Sequence, residues 1–335
     1  MAKQGTILVT GGAGYIGSHA VLALREAGWN VVVFDNLVTG LATLVPRDVP
    51  LIEANCGDAR RLDDVFAEFD IVAVMHFAAS TVVPESVANP LKYYLNNTAN
   101  TARVIDRCVA AGVGTFIYSS TAAVYGEPDI AVVSEDVPPR PISPYGKGKL
   151  MGETILEDTA RAHPFRYMAL RYFNVAGADP AGRSGQSTPQ ATHLIKVACE
   201  VAAGKRARME IFGDDYDTPD GTCIRDYIHV SDLVDAHIAA LDHLLAGGAG
   251  GIVNCGYGHG HSVREVVDMV RRETEIDIEA RVAPRRPGDM ARLVCTSERI
   301  RKLLGWRPRY DDLGVMVRTA YAWECRQRAA DGSSG

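Results

Sequence analysis

The first half of the chain alternates short, nearly unbroken apolar runs with longer stretches of helical period. The runs are TILVTG (6–11), NVVVFDN (30–36), PLIEAN (50–55), IVAVMHFA (71–78), GTFIYSS (114–120) and YMALRYFN (167–174). Apolar side chains at both alternations of a strand imply burial on both faces, as in a parallel sheet covered by helices. Helical spacing covers 18–28, 62–69, 90–111 and 147–163 between them. Strand and helix in turn predict βαβ units and a doubly wound sheet.

The second half is less regular. Residues 175–222 are rich in Gly, Pro, Asp and Ser around one helix near 192–203 and a short strand at 209–213. Ser231 stands before DLVDAHIAAL as the expected N-cap of a helix, GIVNCG (251–256) reads as a strand, and 262–274 as another helix. The expected organisation is a nucleotide domain at about 1–174 that also takes up about 226–256. A smaller α/β lobe is expected from 175–225 and 257–330, with 331–335 as a frayed tail.

Composition narrows the function classes. With 335 residues, 47% of them hydrophobic, the chain has room for about two domains. A formal net charge of −6 provides no global basic field for nucleic acid or an anionic membrane, so an anionic ligand needs locally placed arginines. The seven cysteines are scattered without a CxxC pair, which reads as reduced and cytoplasmic. No apolar run reaches the length of a membrane span, and TILVTGG so near the start leaves no room for a signal peptide.

VTGGAGYIGSH (9–19) follows the first strand and opens the first helix. Its glycines fit Gly12-x-Gly14-x-x-Gly17 and Gly11-x-x-Gly14-x-x-Gly17 together. That spacing lets the backbone turn sharply and approach a pyrophosphate, with the helix N-terminus offering about half a positive charge. Asp35, at the end of the second strand, can accept both hydroxyls of an adenosine ribose and would repel a 2′-phosphate. Its neighbours Asn36 and Leu37 include no arginine, so NAD is expected over NADP. Asp58, after the third strand, is either a ligand of the adenine or a plain turn cap. The expected fold is therefore α/β, a Rossmann-type doubly wound parallel sheet with a smaller substrate-binding lobe.

SPYGKGK (143–149) places Tyr145 and Lys149 four apart, on one helix face. YSSTAAVYG (118–126) brings hydroxyls at Ser119, Ser120 and Thr121 to the carboxyl edge of the sheet, where open α/β sheets bind ligands. Using a phenol as a base at neutral pH means lowering its pKa by about three units, about 4 kcal/mol. One ammonium about 5 Å away at an effective dielectric near 20 supplies roughly 3 kcal/mol. The expectation is that Lys149, helped by an oxidised nicotinamide, keeps Tyr145 ionised.

With these parts assembled, the chain resembles the extended short-chain dehydrogenase/reductases, and within them the UDP-glucose 4-epimerase family. The likeness is collinear through VTGGAGYIGSH, VVVFDNL, HFAA, ESVANPLKYYLNNTANT, SSTAAVYGEP, SPYGKGKLMGE, LRYFNVAGA, IFGDDYDTPDGTCIRDYIHVSDL, NCGYGHGHSVREVV and APRRPGDMARLV. The resemblance implies that Tyr145 takes the proton of a sugar 4-hydroxyl while hydride passes from C4 to NAD, with Thr121 bridging hydroxyl and phenol. The 4-keto sugar then turns and is reduced on its other face. It implies NAD contacts at Gly11, Gly14, Tyr15, Ile16, Gly17, Asp35, Asn36, Asp58, Ala59, Phe77, Ala78, Ala79, Asn96, Tyr145, Lys149 and Phe173. It implies UDP-sugar contacts at Asn174, His193, Leu194, Phe212, Arg225, Arg286 and Asp289, besides Thr121. A homodimer through the helices at 90–111 and 147–163 is implied as well. Departures are Thr81 where some members have lysine, His193 where others have asparagine, and Leu293 at a position that gates sugar size.

Other nucleotide-sugar epimerases, 4,6-dehydratases and decarboxylases share the fold and the first oxidation. Elimination of water needs an acid and a base, which the dehydratase family places directly after its threonine, and the residues there, Ala122 and Ala123, move no protons. A non-catalytic NAD scaffold would have no need of Tyr145, Lys149 and Thr121 together. No metal site is expected: HGH (259–261) lacks a third ligand, and GDDYDTPDG (213–221) lacks EF-hand spacing.

Overall fold

The computed structural model describes residues 3–188, 191–286 and 289–332. The chain runs through β1 (Thr6–Thr10), α1 (Tyr15–Glu26), β2 (Asn30–Asp35), β3 (Leu51–Glu53), α2 (Ala59–Glu68) and β4 (Ile71–His76). Next come α3 (Val83–Ala88), α4 (Pro90–Tyr93), a wider π turn (Tyr94–Ala99) and α5 (Asn100–Ala110). Then follow β5 (Thr115–Thr121), β6 (Val132–Val133), α6 (Pro144–Ala162), β7 (Arg166–Tyr172), β8 (Asn174–Ala176) and α7 (Leu194–Ala202). After these stand β9 (Met209–Phe212), β10 (Ile224–Arg225), β11 (Tyr227–His229), α8 (Val230–Leu245), β12 (Gly251–Cys255) and β13 (His261–Ser262). The chain closes with α9 (Val263–Thr274), β14 (Ala280–Ala283), β15 (Arg292–Cys295), α10 (Glu298–Leu304) and α11 (Leu313–Gly332).

Seven strands make one parallel sheet in the order β12-β7-β5-β4-β1-β2-β3. The unbroken apolar runs have a direct cause in it. Ile7, Val9, Val31, Val33, Met75 and Ile117 pack on one face of the sheet. Their alternates Leu8, Val32, Phe34, Val74, Phe116 and Tyr118 pack on the other. The order in which strands are added reverses between β1 and β4, with β2 and β3 on one side and β4, β5 and β7 on the other, so a crevice opens at their carboxyl ends. Outside this sheet, β13-β10-β15-β6 form a four-stranded sheet, and β14 pairs with β9.

Several boundaries differ from the sequence expectation. The helix expected over 147–163 begins at Pro144, because the Ser143 hydroxyl accepts the Gly146 N–H at 3.1 Å and proline suits the first turn. Tyr145 is thereby helical. The stretch 90–111 is interrupted by the π turn, and the helix expected from 18 starts at Tyr15. Ser231 is not the N-cap of α8. His229 holds that place and its Nδ1 accepts the Ser231 N–H at 3.1 Å, so Ser231 lies inside the first turn. Residues 331–332, expected as frayed tail, belong to α11, and the remainder of that tail lies outside the described residues.

Candidate functional site

The glycine loop sits in the crevice between β1 and β4. Gly11 has φ +74, and a Cβ there would lie 2.5 Å from the Ala78 N. A Cβ on Gly17 would lie 2.0 Å from the Gly11 oxygen, so any side chain there displaces the loop. Helix α1 opens at Gly14 with no side chain capping it, which leaves that end to a ligand's phosphates. Tyr15 follows, its hydroxyl donating to the Gly177 carbonyl at 2.6 Å. Asp35 ends β2 inside the same loop: Oδ2 accepts from the Ala13 N–H at 3.0 Å and Oδ1 from the Leu37 N–H at 2.8 Å. Two backbone donors thus fix a carboxylate at the sheet edge with lone pairs to spare. A glycine turn too tight for a Cβ, an uncapped helix end and an oriented acid together fit a dinucleotide.

Asp58 is the N-cap of α2, its carboxylate accepting from the Arg61 N–H at 3.2 Å, and Ala59 is the first residue of that helix. Phe77 and Ala78 leave β4 with both N–H groups on the Thr10 carbonyl. The Asn96 amide donates to the Ser80 hydroxyl at 3.1 Å. Its neighbour Asn97, not singled out from sequence, clips both sides of Ser80: its Oδ1 accepts the Ser80 N–H and its Nδ2 donates to the Ser80 carbonyl, each at 2.8 Å. The adjacent asparagines at 96 and 97 were its sequence signal.

Thr121, Tyr145 and Lys149 meet where β5 leaves the sheet and α6 begins. Thr121 is the last residue of β5, and its hydroxyl accepts the Ala123 N–H at 3.1 Å. Gly152 lets α6 close on the strand: a Cβ there would come within 2.3 Å of the Tyr118 hydroxyl. The Tyr145 ring stands edge-on to Tyr93, with centroids 6.4 Å apart. Lys149 Nζ donates to the Ser119 carbonyl at 2.7 Å and lies 4.9 Å from the centre of the Tyr118 ring.

The electrostatics of the protein alone differ from those expected with an oxidised nicotinamide beside the pair. Burial pushes the Tyr145 phenol above its ordinary value, opposed by its hydrogen bond with Thr121 rather than by Lys149. Burial lowers Lys149 itself to about 7, with Glu153 acting against the fall. The lysine has lost its water and holds a backbone carbonyl, so in the protein alone it does not outweigh the desolvation of the phenol.

On the other side of the cleft, Asp289 bridges two arginines: Oδ1 lies 3.4 Å from Arg225 Nη2 and Oδ2 accepts from Arg286 Nε at 2.9 Å. Arg225 also donates to the Met290 carbonyl at 2.7 Å, and the Arg286 guanidinium lies over the Phe212 ring at 4.5 Å. Asp289 here orients the cations, and the pair can grip a diphosphate. His193 Nδ1 lies 2.8 Å from Gln186 Nε2, so the neutral ring keeps its Nε2 proton to donate. Burial lowers His193 below its ordinary value, consistent with a neutral ring. Leu194 opens α7 beside it. The Asn174 amide donates to the Asp226 carbonyl at 3.1 Å. Leu293 pairs in register with Arg225 and packs on the small apolar cluster of Phe173, Ala122 and Tyr125 behind Thr121. Thr81 is exposed. Among the described residues no group of three or more His, Cys, Asp or Glu is placed to hold a metal, and His259 pairs with Asp311 at 2.8 Å.

Residues 7–256 match the model of the NAD dependent epimerase/dehydratase family. The chain is 54% identical to a UDP-glucose 4-epimerase of Azospirillum brasilense, over 100% of this chain and 96% of that protein. A UDP-glucose 4-epimerase from Brucella ovis in complex with NAD superposes with a TM-score of 0.94 at 42% identity, covering 96% of this chain and 99% of that one. A UDP-glucose 4-epimerase from Stenotrophomonas maltophila, with bound NAD and formylated UDP-arabinopyranose, also gives 0.94, at 36% identity over 98% and 100% of the two chains.

Proposed function

The chain belongs to the NAD dependent epimerase/dehydratase family, and from that membership together with the site's geometry we propose that it interconverts UDP-glucose and UDP-galactose by inverting C4. NAD, when bound, supplies an acceptor and donor of hydride and a cationic ring. The chain's own residues do the rest. Gly11, Gly14 and Gly17 clear the path of the pyrophosphate, and Asp35 receives the adenosine ribose. Arg225 and Arg286, held by Asp289, grip the diphosphate of the UDP-sugar, while His193 and Asn174 offer donors nearby.

Tyr145 takes the proton of the 4-hydroxyl as C4 is oxidised and returns it when the ketone is reduced, so no net proton is consumed. Thr121 hydrogen-bonds the phenol and the sugar oxygen in turn. Lys149, anchored on the Ser119 carbonyl one helical turn from the phenol, contributes positive charge there. Since burial raises Tyr145, the phenolate depends on Lys149 and the cationic ring of NAD acting together.

The observation that carries this reading is the meeting of Thr121, Tyr145 and Lys149 at the carboxyl edge of the sheet, followed by Ala122 and Ala123. No carboxyl group follows the threonine to drive elimination of water, which disfavours a dehydratase. Purified protein supplied with UDP-galactose, and separately with UDP-N-acetylgalactosamine, tests activity and sugar scope at once. Absence of UDP-glucose after prolonged incubation with NAD overturns the reading.

The chain is also read as a homodimer working in the cytoplasm. Val87, Leu91 and Leu95 stand exposed at helical spacing, Leu91 at 70% and Leu95 at 67%, and Met151 on α6 is exposed as well. Such a stripe suits a bundle formed with a second copy. Six of the seven cysteines are buried and free, and Cys325 is exposed and free, as in a reducing compartment. No helix among the described residues is long and apolar enough to cross a membrane.

A further inference from the structure

Tyr145, Lys149 and Glu153 are spaced four apart on α6, so all three rise from one face. Each meets a different one of three consecutive residues of β5. Tyr145 bonds the Thr121 hydroxyl, Lys149 the Ser119 carbonyl, and Glu153 accepts from the Ser120 hydroxyl. From β7, Arg171 grips the same carboxylate with two bonds, Nε to Oε1 at 2.9 Å and Nη2 to Oε2 at 2.6 Å. Arg171 and Glu153 are nearly sealed from solvent, with side chains 4% and 2% exposed. The guanidinium also stacks 4.9 Å from the centre of the Tyr125 ring, whose hydroxyl donates to Asn254 at 2.6 Å.

We propose that Glu153 is a positioning residue of this site: its carboxylate, clamped by Arg171 and Ser120, keeps Lys149 charged and thereby favours the phenolate of Tyr145. The inference rests on the reading of Tyr145 as the proton acceptor. A pair serving only to fill space could be an apolar pair of the same volume at no loss. Here a carboxylate, its charge partly offset by Arg171, stands one helical turn from an ammonium that has lost its water, where charges act with little screening.

The other groups around Lys149 do not provide that anion. Tyr118 of β5 presents its ring, His76 of β4 is held neutral by burial and by the charge of Lys149, and Tyr172 of β7 is kept as the phenol by burial. Tyr93, edge-on to Tyr145, is raised as well, first by burial and then by its hydrogen bond to Glu85. Arg171 is engaged on both carboxylate oxygens.

The test is the pH at which the tyrosinate absorbance of Tyr145 appears in the NAD-loaded protein, with Tyr145→Phe subtracted to isolate it. Glu153→Gln is expected to move that appearance upward by about one pH unit, and the acid limb of kcat/KM with it. Glu153→Asp, which keeps the charge, restores much of the shift. Because Glu153→Gln leaves Arg171 buried without its partner, the double variant Glu153→Gln/Arg171→Met removes both and is expected to keep a smaller upward shift, since a cation is lost together with the anion. A folded double variant that titrates as the wild type overturns the proposal. A downward shift overturns it too, since loss of an anion acting directly on the phenol favours phenolate. If the wild type converts no UDP-sugar, the functional reading falls, while the titration still decides whether Glu153 acts through Lys149.

Discussion

Lys149 spends its amine on the carbonyl of Ser119, 2.7 Å away, two residues before the threonine that bonds Tyr145. This contact makes the lysine part of the β5–α6 junction as well as a source of charge. Lys149→Met leaves that buried carbonyl without its donor and removes the cation. The expected result is NAD lost on dialysis and a tyrosinate titration moved to higher pH, both measurable by absorbance. Retention of NAD with an unshifted titration would sink this role.

Tyr145→Phe removes a hydroxyl and keeps the ring packed edge-on to Tyr93. Turnover of UDP-galactose should fall by about 10²–10⁴ while NAD stays bound, because the loss is of proton transfer alone. A variant with near wild-type kcat means that the base lies elsewhere.

Arg286 lies over Phe212 and shares Asp289 with Arg225, so it is oriented before any ligand arrives. Arg286→Ala should raise KM for the UDP-sugar by about 10–100-fold, the worth of a charge-assisted bond, with a smaller change in kcat. Steady-state kinetics separate the two; a fall confined to kcat contradicts a role in gripping the diphosphate.

Burial lowers His19 to about 4, His76 to about 3, His229 to about 3 and His237 to about 4. Unfolded, each titrates near 6.5. Between those values the unfolded chain binds protons that the native chain refuses, so stability is fully present above about pH 6.5 and is lost as pH falls. The loss approaches about 1.4 kcal/mol per histidine for each pH unit below that point. Thermal melts from pH 8 to pH 5 should show Tm dropping steeply below 6.5; a level Tm down to pH 5 rules this out.

Leu91 and Leu95 are expected to sit inside a two-fold interface. Leu91→Glu combined with Leu95→Glu should turn a dimer into a monomer in sedimentation at micromolar concentration, with the fold intact by circular dichroism. A wild-type chain that sediments only as monomer removes the dimer.

Much of this was legible along the chain, for reasons that belong to local physics. A strand buried on both faces must be apolar at every position, so the runs at 6–11, 30–36 and 71–78 announced a parallel sheet. A turn this tight has no room for Cβ atoms at Gly11 and Gly17, so the glycine spacing announced the sharp passage from β1 into α1. A spacing of four puts Tyr145 and Lys149 on one helix face regardless of what surrounds them. The three-dimensional fold alone decided the charge state of that face. Desolvation depends on the number of neighbours closing over a group, and those come from β5, β7 and the segment around Tyr93, far apart in sequence. Hence the phenol is raised where the pair spacing suggested a fall, and Glu153 acquires its partner Arg171 only once α6 packs against β7. The cap of α8 passed to His229 for a similar reason, since a backbone donor goes to whichever acceptor the folded turn brings nearest.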